Sequence, residues 1–250
     1  CKKIKIEFLS TPYDLESVDL LEKLKVRRYK VASTDLVDLI LHKKIISTKK
    51  PVLISTGASS LNEIKKTLDF YKLYNHKKIT LLHCVSNYPC SDSSINLNIL
   101  TTLKKKFGFS VGYSDHSKTN IAAIMSVCFG AEVIEKHFTL NRYSSGPDHK
   151  ASADPKEFKK YVESIRSAEK ILGSEIKKIQ KEELSIRKIS RKSITLAKDL
   201  YKNHRITEKD ITMKRPGNGI LGQEIGKIIG KRVNKNLPKN YQIKSKDLTR

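Results

Sequence analysis

Apolar and polar positions along this chain change period repeatedly, and a cap, a glycine or a proline marks each change. Ile4-Lys5-Ile6-Glu7-Phe8-Leu9-Ser10 alternates with a period of two and predicts a strand, ended by Ser10-Thr11-Pro12-Tyr13. Apolar positions from Leu15 to Leu24 then recur at helical spacing. The succession repeats: a strand over Arg28–Ser33 and a helix over Leu36–Ile46, then a strand over Pro51–Gly57 and a helix opened by the capping box Ser60-Leu61-Asn62-Glu63. Further on, the strand Ile79–Cys84 leads through the polar Val85–Pro89 to a helix over Ile95–Phe107, and the strand Phe109–Tyr113 leads to a buried helix over Asn120–Phe129 that stops at Gly130. A last strand over Val133–Thr139 precedes a glycine-containing loop, after which Asp154-Pro155 caps a long amphipathic helix ending at Gly173.

Strand–helix units of roughly 20 to 30 residues are the rhythm of a parallel α/β protein. A doubly wound sheet and an eight-unit barrel both fit it. Every predicted strand ends in polar groups, not only those at one switch point, and this favours a (β/α)8 TIM barrel lacking about its first two units. The chain starts almost directly in a strand without Met, so the expectation is that the N-terminal part of a longer protein is missing. The partial barrel is assigned to residues 1–173 and a charged linker to 174–190. In residues 191–250, Leu200-Tyr-Lys-Asn-His-Arg-Ile-Thr-Glu-Lys-Asp-Ile211 is echoed by Leu237-Pro-Lys-Asn-Tyr-Gln-Ile-Lys-Ser-Lys-Asp-Leu248. That internal repeat predicts a small pseudo-symmetric domain of short strands and turns, with Lys214-Arg215-Pro216-Gly217-Asn218-Gly219 as a loop between the copies.

Composition narrows the function. Lys plus Arg number 50 against 26 Asp plus Glu, a net charge of +24, which raises nucleic-acid binding as a possibility. The lysines are spread along the chain and lie beside polar helix faces, without clustered aromatics, so a solvated surface that attracts anionic small molecules is expected and nucleic acid is not. Cys1, Cys84, Cys90 and Cys128 form no Cys-x-x-Cys pair; Cys84 and Cys128 lie in apolar segments and are expected to be reduced and buried. No apolar run is long enough to cross a bilayer, and a soluble cytoplasmic protein without membrane partners is expected.

The candidate chemistry gathers between Ser114 and His149. His116 and His137 close successive strand–helix units, and in a parallel sheet such ends lie side by side. Two neutral imidazoles from neighbouring strands form a partial site for a divalent metal with coordination positions to spare. One histidine alone would ordinarily be a hydrogen-bonded structural residue. Lys30 with Thr11, Ser33, Ser55 and Ser114 would ring the same mouth, where a point charge and several hydroxyl donors suit a phosphate. Asp35 and Asp148 add carboxylates able to orient hydroxyls or move protons.

Residue by residue, the chain resembles the N-acetylneuraminate (sialic acid) synthase family. The matching segments are Phe8-Leu-Ser-Thr-Pro-Tyr13, Tyr29-Lys-Val-Ala-Ser33, Leu53-Ile-Ser-Thr-Gly57, Leu81-Leu-His-Cys84 with Asn87-Tyr-Pro89, Gly112-Tyr-Ser-Asp-His116, Glu135-Lys-His-Phe-Thr139, Gly146-Pro-Asp-His-Lys-Ala-Ser152 and Lys214-Arg-Pro-Gly-Asn-Gly219. Its tail resembles the antifreeze-like (SAF) domain of these enzymes. The resemblance implies condensation of phosphoenolpyruvate with an N-acylated mannosamine-type sugar to a nine-carbon 2-keto sugar acid and phosphate. It implies that His116 and His137 hold Mn2+ or Mg2+, that Thr11, Lys30, Ser33, Ser55 and Ser114 bind phosphoenolpyruvate, and that Tyr88 and Asp148 contact the sugar. Arg215 matches an arginine that one subunit inserts into its partner's site, so a domain-swapped homodimer is implied. Asp35 stands where many members have Glu, and Ser86-Asn87 shifts by one the asparagine that some members carry before Tyr-Pro. A chain without the family's first two units is expected to be inactive alone and prone to associate. The alternative is a non-catalytic relative that binds a sugar or a partner.

Overall fold

The computed structural model describes residues 1–249, which divide into a first compact unit over Cys1–Gly173 and a second from Ser174 onward. The first unit contains β1 (Tyr29–Val31), β2 (Val52–Ser55), β3 (Ile79–His83), β4 (Ser110–Asp115) and β5 (Ala131–Lys136), alternating with α1 (Leu15–Lys23), α2 (Leu39–Ser47), α3 (Leu61–Leu73), α4 (Asp92–Ile95), α5 (Asn98–Phe107), α6 (Ile121–Cys128) and α7 (Pro155–Leu172). All strand pairs are parallel and the spatial order is β1-β2-β3-β4-β5. A doubly wound sheet reverses its order at a switch point. This one does not, and the sequential order is that of a (β/α)8 barrel.

Local chemistry sets the helix starts. The Asp14 carboxylate accepts from Ser17 N–H at α1, and Asp38 accepts from Ile40 and Leu41 N–H at α2. Ser60 with Glu63 at α3, and Asp154 with Glu157 at α7, form reciprocal capping boxes; Pro155 occupies the first turn of α7.

Strand alternation then sorts side chains to two faces. Tyr29, Val31, Val52, Ile54, Leu81, Val111 and Tyr113 point to the helices and build the main core with Val18, Leu41, Ile45, Leu68, Tyr71, Leu100 and Leu103. The opposite face carries Lys30, Leu53, Ser55, Leu82, Cys84, Gly112, Ser114 and His116, of which Leu53 and Leu82 are buried yet stand outside that core.

Several expectations need correction. Ile4–Ser10 forms no strand: Lys2–Ile4 is a 3-10 turn, and the residues after it run to α1 without ladder partners. Ile4 is 73% exposed and Ile6 60%. Alternation favours a strand only where a neighbour supplies hydrogen bonds, and among the described residues none does. The helix expected over 95–107 is broken at Asn96, whose φ of 46° ends α4 before α5 begins. The helix expected from Leu36 begins at Leu39, after a 3-10 turn at Ser33–Asp35. Cys128 is exposed, because α6 buries Ala122, Ala123, Ser126 and Val127 and its last residue falls on the other side.

In the second unit α8 (Glu183–Ser190) occupies the charged stretch before β6 (Ser193–Leu196), which pairs antiparallel with β7 (Ile211–Lys214). The two repeat copies meet directly: Leu200 and Leu237, equivalent leucines, exchange backbone hydrogen bonds of 2.8 Å. Ile206 and Ile243, also equivalent, are buried in one core with Ile194, Leu196, Ile228 and Val233. Each copy closes on an aspartate. Asp210 accepts from Thr207 N–H at 2.8 Å and pairs with Lys198 at 2.7 Å, while Asp247 accepts from Lys244 N–H at 3.0 Å and pairs with Lys235 at 2.9 Å. Burial opposes ionisation of Asp210, but its hydrogen bonds from Lys198, His204 and Thr207 outweigh that and hold it well below the usual carboxylate range.

Because the folded value is depressed, the stability these aspartates contribute is present above the unfolded pKa of about 3.9 and is lost as pH falls through the folded value. In the full chain, exchange protection at the Leu200, Ile206 and Ile243 amides should stay constant from about pH 7 down to about 4, on correcting for intrinsic rates, and fall below that. Asp210→Ala, which removes a buried carboxylate and the hydrogen bonds it accepts from Thr207, His204 and Lys198, should lower the protection free energy by about 2 kcal/mol at neutral pH. Unchanged protection in the variant would refute this account of the repeat.

Candidate active site

The inward face at the C-terminal ends of β4 and β5 is set by an irregularity in their pairing. Val111 pairs with Ala131 but Gly112 pairs with Val133, so Glu132 is an extra residue in β5. From there Ser114 lies beside Glu135 and Asp115 beside Lys136. Without the bulge, Ser114 would neighbour Ile134 and the alternation of β5 would carry Glu135 and His137 to the helix side. Gly112 permits the close approach: a Cβ there would lie 2.5 Å from both the Val133 carbonyl oxygen and Leu82 Cδ2.

The result is one polar cluster. The His116 and His137 rings lie 5.5 Å apart between centroids, and Tyr88 lies 4.1 Å from the first and 5.1 Å from the second. Asp148 Oδ2 is 3.9 Å from His137 Nδ1, and Ser114 Oγ is 3.3 Å from His116 Nε2. Lys30 Nζ reaches from β1 to Glu135 Oε2 at 3.5 Å. That contact joins the first and last strands of the sheet and draws Lys30 toward the same mouth. Burial raises the Tyr88 phenol above its ordinary pKa, and the charges of Cys84, Asp148, Glu135 and Tyr13 add to the effect.

Four other residues singled out in the sequence sit apart from this cluster. Ser33 accepts from Gly57 N–H at 3.1 Å and touches Cys84 Sγ at 3.2 Å, while Ser55 is buried at the inner end of β2 with no side-chain hydrogen bond among the described residues. Thr11 is half-buried in the segment before α1. Asp35 follows Ser33 in the 3-10 turn; its Oδ2 is buried without a hydrogen-bond partner, and burial followed by the nearby Asp38 raises its pKa. No hydrogen bond or ion pair among the described residues links Asp35 to Lys30 or to either histidine. Arg215 belongs to the second unit, where it is exposed.

The histidines have the chemistry of ligands. His116 Nδ1 lies 2.6 Å from the Val85 carbonyl, which can only accept, so Nδ1 carries the proton and the Nε2 lone pair, beside Ser114 Oγ at 3.3 Å, is the acceptor of the neutral ring. Burial pushes His116 below its ordinary pKa against the opposing pull of that hydrogen bond, which favours the neutral form. Imidazole nitrogens suit first-row transition ions better than magnesium. Among the described residues no group of three His, Cys, Asp or Glu side chains gathers to hold an ion unaided, so a bound ion would keep positions for substrate or water.

Behind the histidines, on the helix side, lies a network that sequence patterns did not single out. Asp115 is fully buried; its carboxylate accepts from Tyr161 OH of α7 at 2.8 Å, Ser117 N–H at 2.8 Å and Tyr113 OH at 3.3 Å, and pairs with Lys136 Nζ at 3.2 Å. Lys136 also donates to the Ser117 carbonyl. Asp115 directly precedes His116 and Lys136 directly precedes His137, so this ion pair clamps the two strands one residue short of the imidazoles. A charged residue ending each strand before a histidine was the available signal. Asp115→Asn should strand the buried ammonium and destabilise the chain by about 3–5 kcal/mol, whereas Asp115→Leu combined with Lys136→Met should recover much of the loss. Thermal denaturation of the two variants tests this; equal losses would refute it.

Residues 1–177 match the NeuB family and residues 191–249 match the SAF domain. Over 236 residues the chain is 44% identical to the N,N'-diacetyllegionaminic acid synthase of Legionella pneumophila, spanning 93% of this chain and 66% of that protein. The synthase of the same name from Campylobacter jejuni is 42% identical over 245 residues, 97% of this chain and 73% of that protein. The solved N-acetylneuraminic acid (sialic acid) synthetase from Leptospira borgpetersenii superposes with a TM-score of 0.69 at 36% identity, over 74% of this chain and 65% of that one. No described helix is long and apolar enough to cross a membrane. By its barrel unit and the SAF domain that follows, the chain belongs to the NeuB family.

Proposed function

We propose that this chain carries the reaction centre of a nonulosonic acid synthase, which condenses phosphoenolpyruvate with the open-chain aldehyde of an N-acylated mannosamine-type sugar. The observation that carries this reading is the convergence of His116, His137, Tyr88 and Asp148 beside Ser114 and the Lys30–Glu135 pair. In the balanced reaction, carbon 3 of phosphoenolpyruvate bonds to the aldehyde carbon, water adds at carbon 2, and the carbon–oxygen bond to phosphate breaks. The relatives at 42% and 44% identity are named for N,N'-diacetyllegionaminic acid, which supports that member of the product class.

Each residue has a part that its surroundings suit. Lys30 supplies a buried positive charge for the phosphate or carboxylate, with Ser114 as a hydroxyl donor in the same cluster and Ser55, Ser33 and Thr11 at its margin. Tyr88 and Asp148 stand beside His137, where a phenol and a carboxylate orient sugar hydroxyls. Asp35, its pKa raised by burial, is suited to exchange a proton with water or with the sugar oxygen. His116 and His137 would hold Mn2+, favoured over Mg2+ by the nitrogen donors. When bound, such an ion supplies Lewis acidity toward a carbonyl oxygen. Arg215 would act from the SAF domain of a second copy.

Two tests follow. Manganese binding, read by electron paramagnetic resonance, should fall at least about tenfold in both His116→Ala and His137→Ala, because one imidazole does not hold the ion in the same geometry. Phosphate release should require the acylated sugar. It is measured on the chain as given, and again with any coding sequence upstream of Cys1 joined to it. Undiminished manganese affinity in both variants, or release from phosphoenolpyruvate without sugar, would sink the reading. For Arg215, mixing Arg215→Ala with His116→Ala subunits should restore part of the activity, since one site of the mixed dimer has both groups. No recovery in demonstrated heterodimers would mean that Arg215 acts within its own chain.

A further inference from the structure

The helix-side face of β4 and β5 opens on a cavity of about 460 Å³ that none of the inward-facing site residues lines. It lies between residues 117–120, which follow β4, residues 142–153, which follow β5, and the first turns of α7. Lys118, Lys136, Arg142, Lys150 and Lys160 line it against one carboxylate, Glu157. That carboxylate is already committed to Arg142 and to the Asp154 N–H that it caps.

Arg142 is spent on Glu157 and on the Ser152 carbonyl, but the other cations are not fully used by the protein. Lys118, Lys150 and Lys160 make no side-chain hydrogen bond or ion pair among the described residues. Lys136, whose side chain is only 7% exposed, forms part of the cavity lining and uses two of its three ammonium donors, on Asp115 and on the Ser117 carbonyl. Its Nζ also lies 5.5 Å from the Tyr161 ring centroid, and the remaining donor is left for an acceptor in the cavity. The adjoining end of α6 adds to the positive field: Asn120 caps it with no side-chain hydrogen bond, its amide turns instead to Ser164, and the first turn has no acidic residue.

We propose that this cavity is a second anion site, distinct from the His116–His137 cluster, none of whose residues lines it, and that it takes a small molecule bearing a diphosphate. One phosphate engages only part of a wall with three unpaired lysines and the remaining Lys136 donor, whereas two linked phosphates span it and neutralise more of it. The volume exceeds what inorganic diphosphate alone fills, and it falls within the ordinary range of small-molecule sites. The diphosphate is the shared chemistry, and its source is either the free ion or a nucleoside ester.

Calorimetric titration of the purified chain at about 50 mM salt tests this, with pyrophosphate in one arm and adenosine diphosphate in the other. Saturable binding is expected. Tighter binding of the nucleotide would identify the ester as the ligand, and equal or weaker binding the free ion. The triple variant Lys118→Gln, Lys150→Gln, Lys160→Gln changes only exposed side chains, and its fold is checked by circular dichroism. It should weaken binding by at least about tenfold. Lys30→Met, which removes the cation of the barrel mouth, should leave this binding event in place, so failure of the proposed reaction centre and failure of this site are told apart. Absence of saturable binding in the wild type, wild-type affinity in the triple variant, or loss of all binding in Lys30→Met would overturn the proposal.

Discussion

The phase of β5 against β4 is the constraint on which the candidate site depends. Parallel strands place side chains on alternate faces, and a slip of one residue exchanges those faces along the whole strand. The extra residue Glu132 introduces that slip once, and Gly112 makes room for it. Beyond the bulge, Glu135 and His137 turn to the same side as Ser114 and His116, while Lys136 turns outward with Asp115. One local irregularity therefore produces the paired imidazoles on one face and the buried ion pair on the other.

The ion pair is an unusual choice for a layer built mainly from Val, Ile, Leu and Tyr. Buried charges cost desolvation energy that apolar side chains do not, and their use is best understood where geometry must be specific. Asp115 has a hydrogen-bond or charge partner from its own strand, from β5, from α7 and from the following loop. An apolar contact tolerates sliding; a carboxylate with four directed partners does not. The positions of His116 and His137 are thereby tied to the helix layer behind them. The same ammonium faces a basic cavity, so the chemistry of the inner and outer faces meets at Lys136.

Charge is organised on two scales. The overall excess of +24 belongs to a lysine-rich surface and draws anions without discrimination. Discrimination begins where a cation is buried and directed, as Lys30 is toward Glu135 and Lys136 is toward Asp115. In the second unit the same device is structural: Lys198 and Lys235 close the two repeat copies on Asp210 and Asp247. There the carboxylates also accept backbone donors, and their role is to end turns.

Much of this was legible in the amino-acid order because it rests on local physics. Capping residues such as Asp14, Ser60 with Glu63, and Asp154 with Pro155 act within one turn, and helix faces follow from a period that neighbours on the chain already set. The repeat around Leu200 and Leu237 was visible as text, and so were the histidines ending successive units. What the sequence left open were matters of partnership between distant segments. Ile4–Ser10 alternates like a strand but finds no ladder; Cys128 looks buried but ends on the outer side of α6; Asp35 sits in a 3-10 turn without joining the histidine cluster. The bulge at Glu132, the contact of Lys30 with Glu135 and the fourfold satisfaction of Asp115 have no local signature, because each depends on how one strand is displaced along another. By itself the sequence determined the elements, the barrel rhythm and the residue types of a site. The tertiary structure alone decided which side of the sheet each residue faces, since that choice is made by register, an energy shared between strands that no single segment contains.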